Sequence, residues 1–218
     1  MRQFVDRREA GKELARKLSQ YEDRSDVIIL ALPRGGVPVA YEVAVALKCP
    51  LDVCLVRKLG LPGHEELAIG AIASGGIQIL NEDIIQALNI DQDVINSVAR
   101  HELKELQRRE EQYRGKRSAP DIRDQTVILI DDGLATGASM LAAVRGVCAQ
   151  HPARIVVAVP AAAPQAVDLL ESEVDEVVYV IAPDFFEGVG KWYWDFSQTS
   201  DEEVRSLLEA ANRQLHHN

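Results

Sequence analysis

Apolar positions along this chain follow two rhythms, short unbroken runs and stripes at helical spacing, and their order predicts a layered fold. Runs of branched apolar residues predict strands over 27–32, 51–56, 126–130, 154–159 and 176–181. Between them, helical spacing predicts helices over 37–47, 138–150 and 165–170. Met140, Leu141, Val144, Val147 and Cys148 make a stripe suited to the face of a sheet. An opening helix over 6–18 carries Ala10, Leu14 and Leu18 on one side. Strand, helix and strand in succession is the parallel crossover unit. The expected fold is therefore α/β, a parallel sheet flanked by helices on both faces. Ligands of such sheets bind beyond the carboxyl ends of the strands, where Arg34 and Asp131 both fall.

Two stretches break the rhythm. Residues 67–80, around Ser74-Gly75-Gly76, predict a hairpin. Residues 81–117 read as a highly charged, almost wholly helical insert whose apolar stripe is Ile95, Val98, Leu103 and Leu106. Glu105 with Arg109, and Glu110 with Arg114, stand four apart in the order that favours helix ion pairs. Its charges are expected to form a solvated face, and the insert is also placed to serve as part of a hood. Ser118-Ala119-Pro120 is the best linker back to the core. No repeat divides the chain, so residues 1–218 read as a single domain, with an aromatic segment over 182–200 as a second hood candidate.

Composition narrows the function classes. A chain of 218 residues is long enough for one substantial core, and 47% hydrophobic with 27% charged residues is ordinary for a soluble globular protein. With 24 basic and 34 acidic residues the net charge is -10, which argues against a nucleic-acid surface unless basic residues cluster, as they do between Arg108 and Arg117. An acidic protein that binds an anion must concentrate its positive charge locally. Cys49, Cys54 and Cys148 form no Cys-x-x-Cys pair and lie in apolar stretches, so buried reduced thiols are expected. His64, His101, His151, His216 and His217 show no metal-ligand spacing. The first eight residues lack an apolar signal core, and no run of ~20 apolar residues could span a bilayer, so a cytoplasmic location is expected.

The run Val127 to Met140, VILIDDGLATGASM, is the most specific chemical signal. A buried strand leads through Asp131 and Asp132 into a turn of small residues, Gly133 to Ser139, and then a helix. Glycines bring backbone N–H groups close to an anion, two hydroxyls can donate, and the helix start adds unsatisfied amides and the positive dipole end. The turn is suited to a phosphate dianion. Adjacent strand residues point to opposite faces, so in a regular strand at most one of the two acids lies against a ligand. Vicinal ribose hydroxyls, with or without magnesium, are natural partners for the pair. A tight turn with a helix cap is the plain alternative. A Walker loop is excluded because no lysine follows either glycine, and an Asp-x-Asp phosphatase because the acids are adjacent.

This run resembles the phosphoribosyl pyrophosphate (PRPP) signature of the type I phosphoribosyltransferases. The resemblance implies that Asp131 and Asp132 contact the ribose 2- and 3-hydroxyls, directly or through Mg2+, and that Ala135, Thr136, Gly137, Ala138 and Ser139 hold the 5-phosphate. It also implies that Arg34, Gly35 and Gly36, in Leu32-Pro33-Arg34-Gly35-Gly36, form the pyrophosphate loop, with the Pro33–Arg34 bond as the candidate for a cis peptide. Arg57 and Lys58, ahead of an expected flexible loop, are similar to the Arg-Lys segment of adenine phosphoribosyltransferase, which meets pyrophosphate. Pro183-Asp184-Phe185-Phe186, with its following Val-Gly, resembles the base-binding segment of hypoxanthine-guanine phosphoribosyltransferase, which would make Phe186 a stacking platform; closing a core is the alternative. Asp195 departs from that pattern in spacing.

The implied reaction transfers 5-phosphoribosyl from PRPP to a nitrogenous base, purine favoured over pyrimidine, with release of pyrophosphate. Asp131, Asp132, Arg34, Arg57 and Lys58 are its catalytic candidates. Where some purine enzymes carry an aspartate as proton acceptor this chain has Ala135, which leaves Glu65 and Glu66 as candidates. A PRPP-sensing regulator with little turnover is the alternative, and a homodimer is left open.

Overall fold

The computed structural model describes residues 3–115 and 117–215, without the side chains of Glu65 and Glu66. His216, His217 and those two glutamate side chains therefore lie outside the described residues. In chain order the elements are α1 (Arg7–Lys17), β1 (Val27–Ala31), α2 (Gly36–Leu47), β2 (Leu51–Val53), β3 (Val56–Leu61), β4 (His64–Ala73), β5 (Ile77–Leu80), α3 (Glu82–Ala87) and α4 (Gln92–Arg114). There follow β6 (Thr126–Ile130), α5 (Ala138–Cys148), β7 (Arg154–Ala161), α6 (Pro164–Glu171), β8 (Glu176–Ile181) and α7 (Asp201–Leu215).

Five parallel strands form the central sheet in the order β2-β1-β6-β7-β8. The middle strand β6 is buried along its whole length because both faces are covered. Ile128 and Ile130 join one core with Leu14 of α1, Val43 of α2 and Leu208 of α7. Val127 and Leu129 face the other, with Val144 of α5 and Leu170 of α6. Each such side chain removed from water contributes roughly 1.5–3 kcal/mol, so burial on two faces fixes the register of β6 and hence where its carboxyl end emerges.

The strands β3, β4 and β5 form a separate antiparallel sheet. The expected hairpin is β4 and β5, turning at Gly75 and Gly76 with φ of 82° and 76°. The flexible loop expected after Arg57 and Lys58 is corrected: residues 56–61 are strand β3, paired to β4. Leu59 is fully buried there, opposite Gly70, and that apolar anchor draws a glycine- and proline-rich stretch into a sheet. Gly146 of α5 lets this sheet approach closely, since a β-carbon at that position would lie 2.3 Å from Ala73 Cβ.

The charged helical stretch is chiefly α4, a 23-residue helix capped by Asp91, whose side chain accepts from the Asp93 amide. Ile95, Ala99, Leu106 and Tyr113 bury it against the first core. The expectation of a wholly solvated charged face fails at Arg114, which is 7% exposed. Its Nε donates to Asp52 Oδ1 at 3.0 Å, Nη1 to Glu110 Oε1 at 2.9 Å and Nη2 to the Val53 carbonyl at 2.7 Å. A buried guanidinium requires such partners, and β2 supplies two of the three. Arg108 and Arg109 both bond Glu105, so much of the basic run is neutralised within the helix.

Cys49 and Cys54 are buried, and burial pushes their thiols up to about 11 and about 12. Cys148, at the end of α5, is exposed rather than buried. Among the described residues no helix is long and apolar enough to cross a membrane.

Candidate functional site

The carboxyl end of β6 delivers Asp131 and Asp132 to the middle of the sheet's edge, and the two acids diverge as strand alternation requires. Asp131 faces a cavity. Asp132 turns to α1, where Arg7 Nε donates to Asp132 Oδ2 at 2.9 Å. The Asp132 amide donates to Asp131 Oδ1 at 2.8 Å, and the Tyr193 hydroxyl donates to the Asp132 carbonyl at 2.6 Å. Burial, reinforced by the charge of Asp132, holds the Asp131 carboxyl well above the usual range. Burial also raises Asp132, against the opposing charge and hydrogen bond of Arg7.

The turn between β1 and α2 lies directly over this pair. Its Pro33–Arg34 peptide bond is cis, as the resemblance implied. A β-carbon on Gly35 would come within 2.0 Å of Asp132 Oδ2, and one on Gly36 within 2.7 Å of the Ile130 carbonyl and 2.9 Å of Asp131 Cα. The two glycines thus let the turn rest on the acids, a role distinct from approach to a ligand. The Gly36 amide donates to the Leu32 carbonyl, whereas the amides of Arg34 and Gly35 find no acceptor among the described residues. Arg34 is half-buried and forms no ion pair with a described residue. The Asp201 carboxyl is held low first by the hydrogen bond from Tyr113, then by one from Gln112 and by the charges of Arg34 and Arg109.

On the other side of the acids, residues 133–139 form the small-residue turn. Gly133 is packed so tightly that a β-carbon would meet Val189 Cγ1 at 2.6 Å. The Leu134 carbonyl accepts from the Ala163 amide at 2.8 Å, and the Leu134 amide donates to the Ala161 carbonyl at 2.9 Å, anchoring the turn to β7. Gly137 caps α5 with φ of 74°, a conformation that other residues adopt only with strain. Ala135, Thr136, Ala138 and Ser139 are exposed. The Ala138 amide reaches Thr136 Oγ1 at 3.4 Å, while those of Ala135, Thr136, Gly137, Ser139 and Met140 have no acceptor among the described residues. A row of unsatisfied donors at a helix start is suited to an oxyanion.

One cavity of 160 Å³ brings these segments together, lined among others by Pro33, Arg57, Leu106, Arg109, Asp131 and Ser139. Arg57 points to α4, and its Nε and Nη2 donate to Glu102 Oε2 at 2.7 and 2.6 Å. Lys58, next along β3, is exposed and does not line the cavity. Nor does Phe186, which is half-buried with its ring stacked on Trp192 at 6.0 Å and 25°. No group of three or more metal-ligating side chains occurs among the described residues.

Three contributors were missed by sequence reasoning. Arg7, besides bonding Asp132, donates from Nη1 to the Ser197 carbonyl at 2.7 Å and lies 4.0 Å over the Phe196 ring. Tyr193 stacks on Phe196 at 5.1 Å. Arg109 comes from the helix whose charges read as a solvated face. None carries a local signal, since each acquires its place only when distant elements meet.

The chain and its fold have counterparts among known proteins. The family model described as the phosphoribosyl transferase domain matches residues 3–197, and the chain belongs to that family. Over 213 residues it is 43% identical to the Mycobacterium tuberculosis H37Rv protein named "Putative phosphoribosyl transferase Rv0571c", a match covering 98% of this chain and 48% of that protein. The chain thus spans about half the length of the curated relatives it matches. The crystal structure of TT1426 from Thermus thermophilus is 43% identical and superposes with a TM-score of 0.83 over 95% of this chain and 98% of that one. AQ2163 from Aquifex aeolicus, at 12% identity and a TM-score of 0.51 over 93% of this chain and 85% of its own, shares the fold alone.

Proposed function

We propose that this chain transfers 5-phosphoribosyl from PRPP to a nitrogenous base, with a purine favoured over a pyrimidine, and releases pyrophosphate. The observation that carries this reading is the convergence of Asp131, Ser139, Pro33 and Arg57 on one cavity beneath a turn of unsatisfied amides. In the proposed complex, residues 135–139 receive the 5-phosphate. Asp131 holds the ribose hydroxyls, with Asp132 behind it, and the 33–36 turn receives the diphosphate.

The reaction forms a bond from a base nitrogen to C1 of the ribose and breaks the bond from C1 to the diphosphate oxygen, which leaves with the electron pair. Charge accumulates on the leaving group, so the guanidiniums of Arg34 and Arg57 and the free amides of Arg34 and Gly35 stabilise it. The purine preference rests on the resemblance of the 183–186 segment. Its base contact at Phe186 belongs to this proposal, beside the observed packing on Trp192.

The residues present fit magnesium of a particular kind. Two adjacent carboxylates held above their usual range by burial favour a cation beside them, yet they supply too few ligands for a closed protein site. Mg2+ commonly keeps waters and takes substrate phosphate oxygens, and Asp131, directly or through water, would hold it there. When bound it would neutralise diphosphate charge.

The test is pyrophosphate release from PRPP and Mg2+ against a panel of purines and pyrimidines. Release with one class of base is the expected result. Tight PRPP binding with no release for any base would identify a sensor, and absence of PRPP binding would refute both readings.

A further inference from the structure

Resting on the phosphoribosyl reading, we infer that Arg109 of α4 is a direct ligand of the leaving diphosphate and forms, with Arg34 and Arg57, a three-guanidinium clamp opposite Asp131. The cavity is lined by Arg57 and Arg109 together with Pro33 and Asp131. The charges of Arg34 and Arg109 are both felt at Tyr113 and Asp201, so the arginine of the 33–36 turn and that of α4 act on the same neighbourhood.

The way α4 holds the two cavity arginines supports a binding role. Glu102 takes Arg57 by Nε and Nη2, leaving Nη1 without a partner among the described residues. Glu105 takes Arg109 by Nε alone at 3.0 Å, so both terminal amino groups of Arg109 are free among the described residues. Glu102, Glu105 and Arg109 are spaced three and four apart, which sets them on one face of the helix. Each guanidinium is therefore held by a carboxylate through Nε, keeps at least one terminal nitrogen unpaired among the described residues, and belongs to a residue that lines the cavity. That geometry matches the planar, two-point pairing of guanidinium with phosphate oxygens. The Arg109 side chain is 41% exposed, open enough to meet a ligand.

A diphosphate also needs more positive charge than the 33–36 turn provides. Lys58 lies on the far side of β3 from Arg57, because neighbouring strand residues alternate. Arg109 takes the place that sequence reasoning gave to Lys58. Immobility of its support strengthens the assignment, for Arg114, five residues on, is locked to Asp52 and the Val53 carbonyl.

The experiment titrates PRPP, magnesium pyrophosphate and ribose 5-phosphate separately into wild type, Arg109→Gln, Arg109→Lys and Arg100→Gln by calorimetry. Arg100 is an exposed cation of the same helix bonded to the Asn96 carbonyl, and serves as the control for general field effects. Arg109→Gln is expected to weaken pyrophosphate by about tenfold or more while ribose 5-phosphate stays within about twofold, since charge-assisted pairs are the strong ones. Arg109→Lys keeps stem and charge and guards against misfolding; it is expected to lose at least about threefold, because the planar fork is gone. Wild-type pyrophosphate affinity in either Arg109 variant, or an equal loss in Arg100→Gln, would overturn the assignment while leaving the phosphoribosyl reading intact. A wild-type chain that binds neither PRPP nor pyrophosphate would instead refute that underlying reading.

Discussion

Arg7 and Asp132, 125 positions apart, meet through a 2.9 Å hydrogen-bonded ion pair whose side chains are only 11% and 14% exposed. The first helix thereby neutralises one acid of the pair and leaves Asp131 to the cavity. Arg7→Gln should expose the cost of an unpaired buried carboxylate, about 3 kcal/mol of unfolding free energy. Adding Asp132→Asn should recover most of that loss. Denaturant titration of the two single variants and the double variant measures the coupling, and strictly additive losses would show that the pair is not an energetic unit.

Gly35 has helical backbone angles, φ -60° and ψ -33°, so alanine is conformationally acceptable there. Its methyl group would nevertheless meet Asp132 Oδ2 at 2.0 Å. Gly35→Ala should therefore fold, with the carboxylate displaced and PRPP affinity reduced by about tenfold or more, equivalent to ~1.4 kcal/mol. Gly36→Ala meets backbone instead and should cost about 1–3 kcal/mol of stability. Melting curves and PRPP titrations on both variants separate the outcomes; unchanged affinity in Gly35→Ala would remove Asp132 from the binding geometry.

The acid pair also makes a statement about pH. An unfolded aspartate titrates near ~3.9, and burial together with Asp132 raises Asp131 well above that in the folded chain. The folded state then binds more protons, so this contribution to stability is fully present below the unfolded value and is lost as pH rises through the folded one. At neutral pH Asp131→Asn should melt higher than wild type, with the gap closing towards about pH 4, while PRPP binding weakens. A lower melting temperature for the variant at neutral pH would mean that surrounding charges already compensate Asp131.

Phe186 and Phe185 are neighbours with opposite surroundings, one stacked on Trp192 and the other 85% exposed. Phe186→Ala should lose about 1–3 kcal/mol, less than a fully buried phenylalanine, whereas Phe185→Ala should be near neutral. If Phe186 also carries the base, its variant raises the acceptor KM and leaves PRPP affinity unchanged. Unaltered stability and unaltered acceptor kinetics together would remove both roles.

The central sheet was legible because its strands announce themselves locally. The predicted bounds 126–130 and 176–181 coincide with β6 and β8, whose apolar runs end in turn residues. The small-residue turn between β6 and α5 was legible for the same reason. By contrast, α7 was overlooked although its signals were present: Val204, Leu207, Leu208 and Ala211 form a buried stripe, and Ser200 Oγ accepts from the Glu203 amide at the helix start. Residues 59–63 read as a loop from their glycines and proline, and only the burial of Leu59 against a partner strand makes β3. The Arg7, Tyr193 and Phe196 cluster had no periodic signature, being assembled from both ends of the described chain.

The buried bonds from Arg114 to β2 make α4 part of the same cooperative unit as the central sheet. A helix that merely covered the cavity would open by local excursions, and its amides would exchange with solvent long before those of β6. Here the last turns of α4 cannot leave without breaking both bonds from Arg114 to β2 and leaving the buried Asp52 carboxylate without its partner. Their amides should exchange on the timescale of global unfolding, which makes the arginine-bearing wall a fixed jaw and assigns any opening of the site to other segments.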